Sequence, residues 1–161
     1  MSTHAPLPVT LRSMRNADMP ALANMWVESW REVFPDIDFE TRRAWFHDRM
    51  AAHSAAGVRI WIAHNASALQ GFITVDTASQ FIDQLAVARA ALGRGVAQAL
   101  IAEARHLSPR RLLLDVNEAN TRAVRFYQRQ GFAVTGRGIS EASGLALLRM
   151  LWLGKEPSHG V

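Results

Sequence analysis

Two stretches of this chain hold residue types at spacings that suit chemistry. The first, Gln84-Leu-Ala-Val-Ala-Arg-Ala-Ala-Leu-Gly-Arg-Gly-Val-Ala97, passes from a strand-like run through a Gly-Arg-Gly turn into an amphipathic helix. A helix start leaves its first backbone N–H groups without intrahelical partners and carries the positive end of the macrodipole. Glycines at that point let a phosphate reach bare backbone, so Gly93 and Gly95 mark a candidate pyrophosphate cradle. The second stretch, Asn120-Thr-Arg-Ala-Val-Arg-Phe-Tyr-Gln-Arg-Gln-Gly-Phe132, follows another strand-like run and holds the chain's one tyrosine, Tyr127. Asn120 is an N-cap residue type, and a phenol with an ordinary pKa near 10 is a hydrogen-bond or proton donor at neutral pH. Taken singly, the glycines describe a strand-to-helix turn and Tyr127 a core aromatic. A dinucleotide-binding fingerprint does not fit. Gln98 stands where a third Gly or Ala is required, and Gly93 does not follow directly on the strand ending at Val87.

The elements that must position these residues follow from periodicity and breakers. Val9 to Met14 alternates as a strand, and Asp18 reads as an N-cap with Pro20 in the first turn. Leu22, Met25, Trp26, Ser29, Trp30 and Val33 recur at helical spacing up to Pro35, and a second helix is expected over Phe39–His53. Val58, Ile60 and Ile62 alternate, Asn65-Ala-Ser67 turns, and Leu69–Val75 completes an antiparallel hairpin. Phe81–Val87 is the next strand. Gly95–Leu107 is a helix with Val96, Leu100, Ala104 and Leu107 on one face, and Arg111–Val116 is a strand beyond Pro109. A fourth helix, capped by Asn120 and ended by Gly131, is expected to bury Ala123, Phe126 and Tyr127. Phe132–Thr135 and Leu145–Leu153 read as a closing antiparallel pair joined by a mobile loop over 136–144. The order β-α-α-β-β-β-α-β-α-β-β embeds one right-handed parallel crossover in an antiparallel sheet, which argues for an α+β layered fold.

At 161 residues and 49% hydrophobic, the chain suits a single domain over 1–161, with a core over about 9–153 and a polar tail over 154–161. There is no cysteine, hence no disulfide, thiolate metal site or cysteine nucleophile. The six histidines, at 4, 47, 53, 64, 106 and 159, show no metal-ligand spacing, and no metal is expected. No apolar run is long enough to cross a bilayer and no signal peptide is legible, so a cytoplasmic, membrane-free protein is expected. The net charge is +4, and Lys155 is the one lysine among 18 basic residues. The arginines read as scattered among 14 acids without interleaved aromatics, so no nucleic-acid partner is expected, while an anionic ligand is favoured.

The pattern from residue 9 to about 153 resembles the GNAT N-acetyltransferase superfamily. That family's acetyl-CoA segment follows a strand as Val-x-Pro and then Arg/Gln-x-x-Gly-x-Gly/Ala. Here Val87, Gly95 and Ala97 match, Gly93 matches a frequent extra glycine, Arg89 replaces the proline and Leu92 replaces the Arg or Gln. The later motif, Asn-x-x-Ala-x-x-Phe-Tyr-x-x-x-Gly-Phe, is matched at Asn120, Ala123, Phe126, Tyr127, Gly131 and Phe132. The resemblance implies a mixed sheet of about seven strands and about four helices, with the parallel pair Phe81–Val87 and Arg111–Val116 splayed. It implies acetyl-CoA as cosubstrate, its diphosphate on residues 92–97 (Leu92, Gly93, Arg94, Gly95, Val96, Ala97) and its pantetheine arm along Leu85, Ala86 and Val87. Arg94 would replace the charge lost at Leu92. The resemblance also brings Asn120, Ala123 and Phe126 to the cofactor and Tyr127 to the thioester sulfur.

The reaction implied is transfer of acetyl to a primary amine by direct attack in a ternary complex. A non-catalytic acyl-CoA-binding sensor or adaptor on the same fold is the alternative of a different class. An alkylamine is protonated at neutral pH, so a carboxylate or water chain must accept its proton. Asp83 is the first candidate base, because alternation sets it on one face with Phe81, Leu85 and Val87. Glu28 and Asp76 are acceptor-side candidates, and Trp30 is one of four aromatics, with Trp26, Trp45 and Phe46, that could shape an acceptor pocket. The acceptor is expected to be a small-molecule amine or a peptide N-terminus. The closing hairpin is where a homodimer partner would sit.

Overall fold

In the computed structural model of the chain, the described residues are 9–66 and 68–155. Ser67 of the hairpin turn and the polar tail from 156 onward lie outside them. Among the described residues seven strands form one mixed sheet in the order β1-β2-β3-β4-β5-β7-β6. They are β1 (Thr10–Ser13), β2 (Arg59–His64), β3 (Leu69–Asp76), β4 (Phe81–Val87), β5 (Arg111–Asn117), β6 (Ala133–Ile139) and β7 (Ala146–Leu153). Four helices, α1 (Met19–Val33), α2 (Arg43–Ala55), α3 (Val96–Leu107) and α4 (Thr121–Arg129), complete the α+β fold. β4 and β5 run parallel. The chain divides into two compact units, Met1–Thr74 with Gln84–Ala102 and Val75–Asp83 with Glu103–Val161.

In the first unit, β1 pairs antiparallel with β2, from Thr10↔His64 to Ser13↔Trp61. Leu22, Trp26, Phe46, Met50, Ile62 and Phe72 form a dry core, in which the Trp26 ring stacks on Phe46 at 5.0 Å. Asp18 departs from the expected cap. Its carboxylate makes no cap bond to α1. It accepts instead from both terminal nitrogens of Arg12, each at 2.8 Å, and from the Arg15 N–H at 2.7 Å. Asp18 thus serves Arg12 of β1 and the start of the 3-10 turn Asn16–Asp18 rather than α1. The second helix also starts later than its periodicity implies, because Phe39–Arg42 is a 3-10 turn in which Asp38 accepts the Glu40 N–H.

In the second unit, β5 and β7 pair antiparallel from Arg111↔Leu153 to Asn117↔Leu147. β7 also carries β6, the outermost strand, with an irregularity between Val134 and Gly136. Gly136 and Gly138 therefore lie in β6, paired with Arg149 and Leu147, and not in a mobile loop. Only the turn at 140–144 remains, closed by Ser140 N–H to Leu145 O and Gly144 N–H to Ser140 O. Backbone pairing decides here, since a ladder accepts glycine wherever its N–H and C=O find partners.

Candidate active site

The first unit contains the glycine turn. Ala88 holds φ −59° and ψ 141°, the conformation a residue before proline takes, although Arg89 follows it. Arg89–Ala91 then forms a 3-10 turn, tied to α1 by an exposed ion pair from Arg89 to Glu32 at 3.0 Å. Leu92, half-buried, closes that turn. Gly93 and Gly95 both adopt positive φ, +74° and +84°, which a side chain would strain. A Cβ at either position would meet nothing within 4 Å. The backbone at both glycines is thus uncovered, and it leads into α3, whose first closed turn is Ala99 N–H to Gly95 O. The N–H groups of Val96, Ala97 and Gln98 precede that bond and have no partner inside the helix. Arg94 is exposed and Val96 is buried. An anionic diphosphate fits this turn sterically and electrostatically.

A strand residue sets how closely α3 sits. A Cβ on Gly71 of β3 would lie 2.8 Å from the Ala86 carbonyl oxygen, 3.1 Å from Val96 Cγ1 and 3.2 Å from Leu100 Cδ1. Gly71 therefore lets Val96 and Leu100, both buried, pack onto the backbone of β3 and β4. The signal in the sequence is a glycine inside a strand, which marks close approach of another element. A second feature missed by sequence reasoning joins α1 to β4. The Trp26 indole N–H donates to Gln84 Oε1 at 3.2 Å, and the Gln84 backbone N–H donates to the Thr74 hydroxyl at 2.9 Å. On the remaining first-unit candidates, Glu28 is exposed on α1. Trp30 is half-buried and stacks on Phe34 at 5.9 Å and Phe39 at 5.8 Å. Trp26 and Phe46 are core, while Trp45 is 37% exposed beneath the Arg49 guanidinium. On β4, Ala86 is buried and Leu85 and Val87 are half-buried.

The second unit contains the tyrosine. Asn120 caps α4 by accepting the Ala123 N–H at 3.2 Å, and Gly131, at φ +93°, ends the helix region. Tyr127 is 8% exposed, edge-on to Phe126 at 5.4 Å and to Phe132 at 5.6 Å. Burial pushes its phenol above the usual tyrosine range, so the hydroxyl stays a neutral donor. Ala123 and Phe126 are only half-buried, which makes Tyr127 the buried anchor of α4. Of the carboxylates, Asp83 is half-buried on β4. Asp76 accepts the Ala78 N–H at 3.0 Å and so serves the turn after β3. The parallel ladder comprises Phe81↔Leu113 and Ile82↔Leu114, although β4 runs on to Val87 and β5 to Asn117. Among the described residues no group of three or more His, Cys, Asp or Glu is placed to hold a metal ion.

The first unit thus carries a glycine turn at positive φ opening α3, and the second an Asn-capped helix burying a tyrosine. The model of the acetyltransferase (GNAT) family matches residues 19–132, which takes in both motifs. The chain belongs to the GNAT acetyltransferase family. As such it is an acetyl-CoA-dependent N-acetyltransferase. It is 25% identical over 154 residues to the peptidyl-lysine N-acetyltransferase YiaC of Escherichia coli (strain K12), a match covering 88% of this chain and 95% of YiaC. The solution structure of apo-form YjaB from Escherichia coli superposes with a TM-score of 0.74 at 27% identity, covering 92% of this chain and all of YjaB. The PaiA N-acetyltransferase of Thermoplasma acidophilum, solved in complex with coenzyme A, shares the fold with a TM-score of 0.72 at 18% identity, over 91% of this chain and 99% of its own.

Proposed function

We propose that this GNAT member moves the acetyl group of acetyl-CoA to a primary amine of a peptide, a lysine side chain or an N-terminus, by direct attack in a ternary complex. The observation that carries the reading is the uncovered backbone of Gly93 and Gly95, both at positive φ, leading into the start of α3. That cradle would hold the diphosphate, with Leu92, Arg94, Val96 and Ala97 around it. The backbone of Leu85, Ala86 and Val87 would pair with the pantetheine amides as an added strand does. The two-pair parallel ladder supports this, since it involves only the first residues of β4. The bound cosubstrate supplies a thioester as acetyl donor.

In the chemical step, Asp83, directly or through water, takes a proton from the ammonium group. The freed amine nitrogen forms a bond to the acetyl carbon, and a backbone N–H of β4 receives the developing oxyanion. The carbon–sulfur bond then breaks, and the Tyr127 hydroxyl donates to the departing thiolate. Asn120, Ala123 and Phe126 would line the cofactor side of α4, and Glu28, Trp30 and Asp76 the acceptor side. YiaC's description as a peptidyl-lysine enzyme favours a peptide acceptor over a small-molecule amine. The exposed outer strand β6, with Ile139 72% exposed, supports the expected homodimer contact. Thiol release from acetyl-CoA tests the reading across lysine peptides, free N-terminal peptides, polyamines and amino acids. Turnover on peptides is expected. Turnover on polyamines or amino acids with none on peptides would overturn the peptide-acceptor reading.

A further inference from the structure

Helix α4 has two faces. Tyr127 points to the interior, while Arg122, Arg125 and Arg129 are all exposed. Their spacing of three and then four residues places them within an arc of about 60° on the helix, spread over about 10 Å along its axis. None of the three makes an ion pair or side-chain hydrogen bond with a described residue. Arg110 apart, the other arginines of the same unit are engaged. Arg149 holds Asp115 at 2.9 Å, Arg137 reaches Glu118 at 3.6 Å, and Arg105 lies over the Trp152 ring at 5.0 Å. An arginine-rich composition accounts for arginine in place of lysine. It does not account for three uncompensated guanidinium groups on one short helix face. Arg122 also sits in the first turn, where the macrodipole disfavours a cation. A residue that breaks a local rule without local compensation points to a role outside the helix.

We propose that this face of α4 docks an acidic segment of a polypeptide acceptor, with Arg122, Arg125 and Arg129 as its carboxylate-binding groups. The proposal rests on the peptide-acceptor reading above. Guanidinium forks pair with carboxylates in bidentate geometry, and a row of three selects a run of Asp or Glu over an isolated acid. A nucleic acid fits less well. The other exposed residues of α4 are Thr121 and Gln128, so no aromatic is available for base stacking. Three charges also fall short of the 6–10 phosphate contacts typical of a polyanion surface.

The test measures binding and turnover separately. Fluorescence anisotropy follows a labelled peptide carrying one lysine and six glutamates, beside a peptide with serines in place of the glutamates and an RNA oligonucleotide of equal charge. The wild type should bind the acidic peptide best and lose it between 50 and about 300 mM salt. The triple variant R122Q/R125Q/R129Q should bind it about tenfold more weakly, as the loss of three exposed ion pairs implies. The triple Arg→Lys variant should recover part of the loss, and both variants should keep the wild-type melting temperature within a few degrees and an unchanged KM for acetyl-CoA. Equal affinity for the serine peptide, or no change in the variants, overturns the proposal. Preferential binding of RNA reassigns the face to nucleic acid, and a raised acetyl-CoA KM reassigns it to the cofactor. Peptide binding without acetylation would sink the peptide-acceptor reaction while leaving the docking face standing. Acetylation of both peptides with equal KM would do the reverse.

Discussion

The surroundings shift two ionisable groups of this chain in opposite directions. At Tyr127 burial raises the phenol pKa, which keeps the hydroxyl protonated through the physiological range and suits it to the donor role proposed for it rather than to that of a base. Tyr127→Phe retains the packing against Phe126 and Phe132 and removes one oxygen. Acetyl-CoA affinity should change little, while kcat should fall about 10²-fold where chemistry limits the rate. A kcat within a factor of two of wild type would return Tyr127 to a packing role. Asp18 moves the other way. Two hydrogen bonds from Arg12 hold its carboxyl down to about 2 against an ordinary 3.8. A depressed carboxylate adds stability that is complete above its unfolded pKa and lost as pH falls through the folded one. Asp18→Asn should therefore cost about 1–2 kcal/mol at pH 7. That difference should shrink between pH 4 and pH 2 in urea-unfolding midpoints. A constant difference across this window would mean that the pair contributes through shape, not charge. The sequence shows Asp18 only as a helix-cap type, because its real partner, Arg12, is brought to it by the strand.

At the scale of elements, the strand-and-helix order, the parallel pair and all four helices were legible from periodicity, glycines and prolines. What escaped has a common cause. Gly136 and Gly138 look like loop residues until β7 supplies ladder partners, and Gly71 signals a close approach without naming α3, whose Val96 would lie 3.1 Å from a Cβ there. The Trp26–Gln84–Thr74 chain likewise joins residues far apart in sequence. Local pattern reports local preference, and these positions are set by contacts between elements. The glycine turn is different, because the feature proposed to hold the diphosphate is local backbone conformation. Gly95→Glu should abolish coenzyme A binding in calorimetry, by placing a carboxylate at the start of α3. The positive φ adds a strain of about 1–2 kcal/mol whatever the side chain. Gly95→Ala shares that strain without the charge and should lose less affinity. Full affinity in a folded Gly95→Glu protein would place the diphosphate elsewhere.

At the scale of the whole molecule, the composition restricts the reaction course. With no cysteine and a single lysine, Lys155, the chain lacks the nucleophile best suited to carry an acetyl group between two half-reactions. The proposed direct attack requires both substrates to be present together, with the amine nitrogen held at the acetyl carbon. Initial velocities measured against acetyl-CoA at several fixed peptide concentrations should give intersecting double-reciprocal lines. Intact-mass measurement after incubation with acetyl-CoA alone should show no acetyl adduct that a later addition of peptide removes. Parallel lines together with a chaseable adduct would demand a covalent intermediate on a hydroxyl or imidazole. In that case the ternary mechanism, and with it the role given to Asp83, would fall. Intersecting lines with a kcat that rises as the acceptor amine is deprotonated, and no alkaline loss below about pH 10, would match a protonated Tyr127 in a direct transfer.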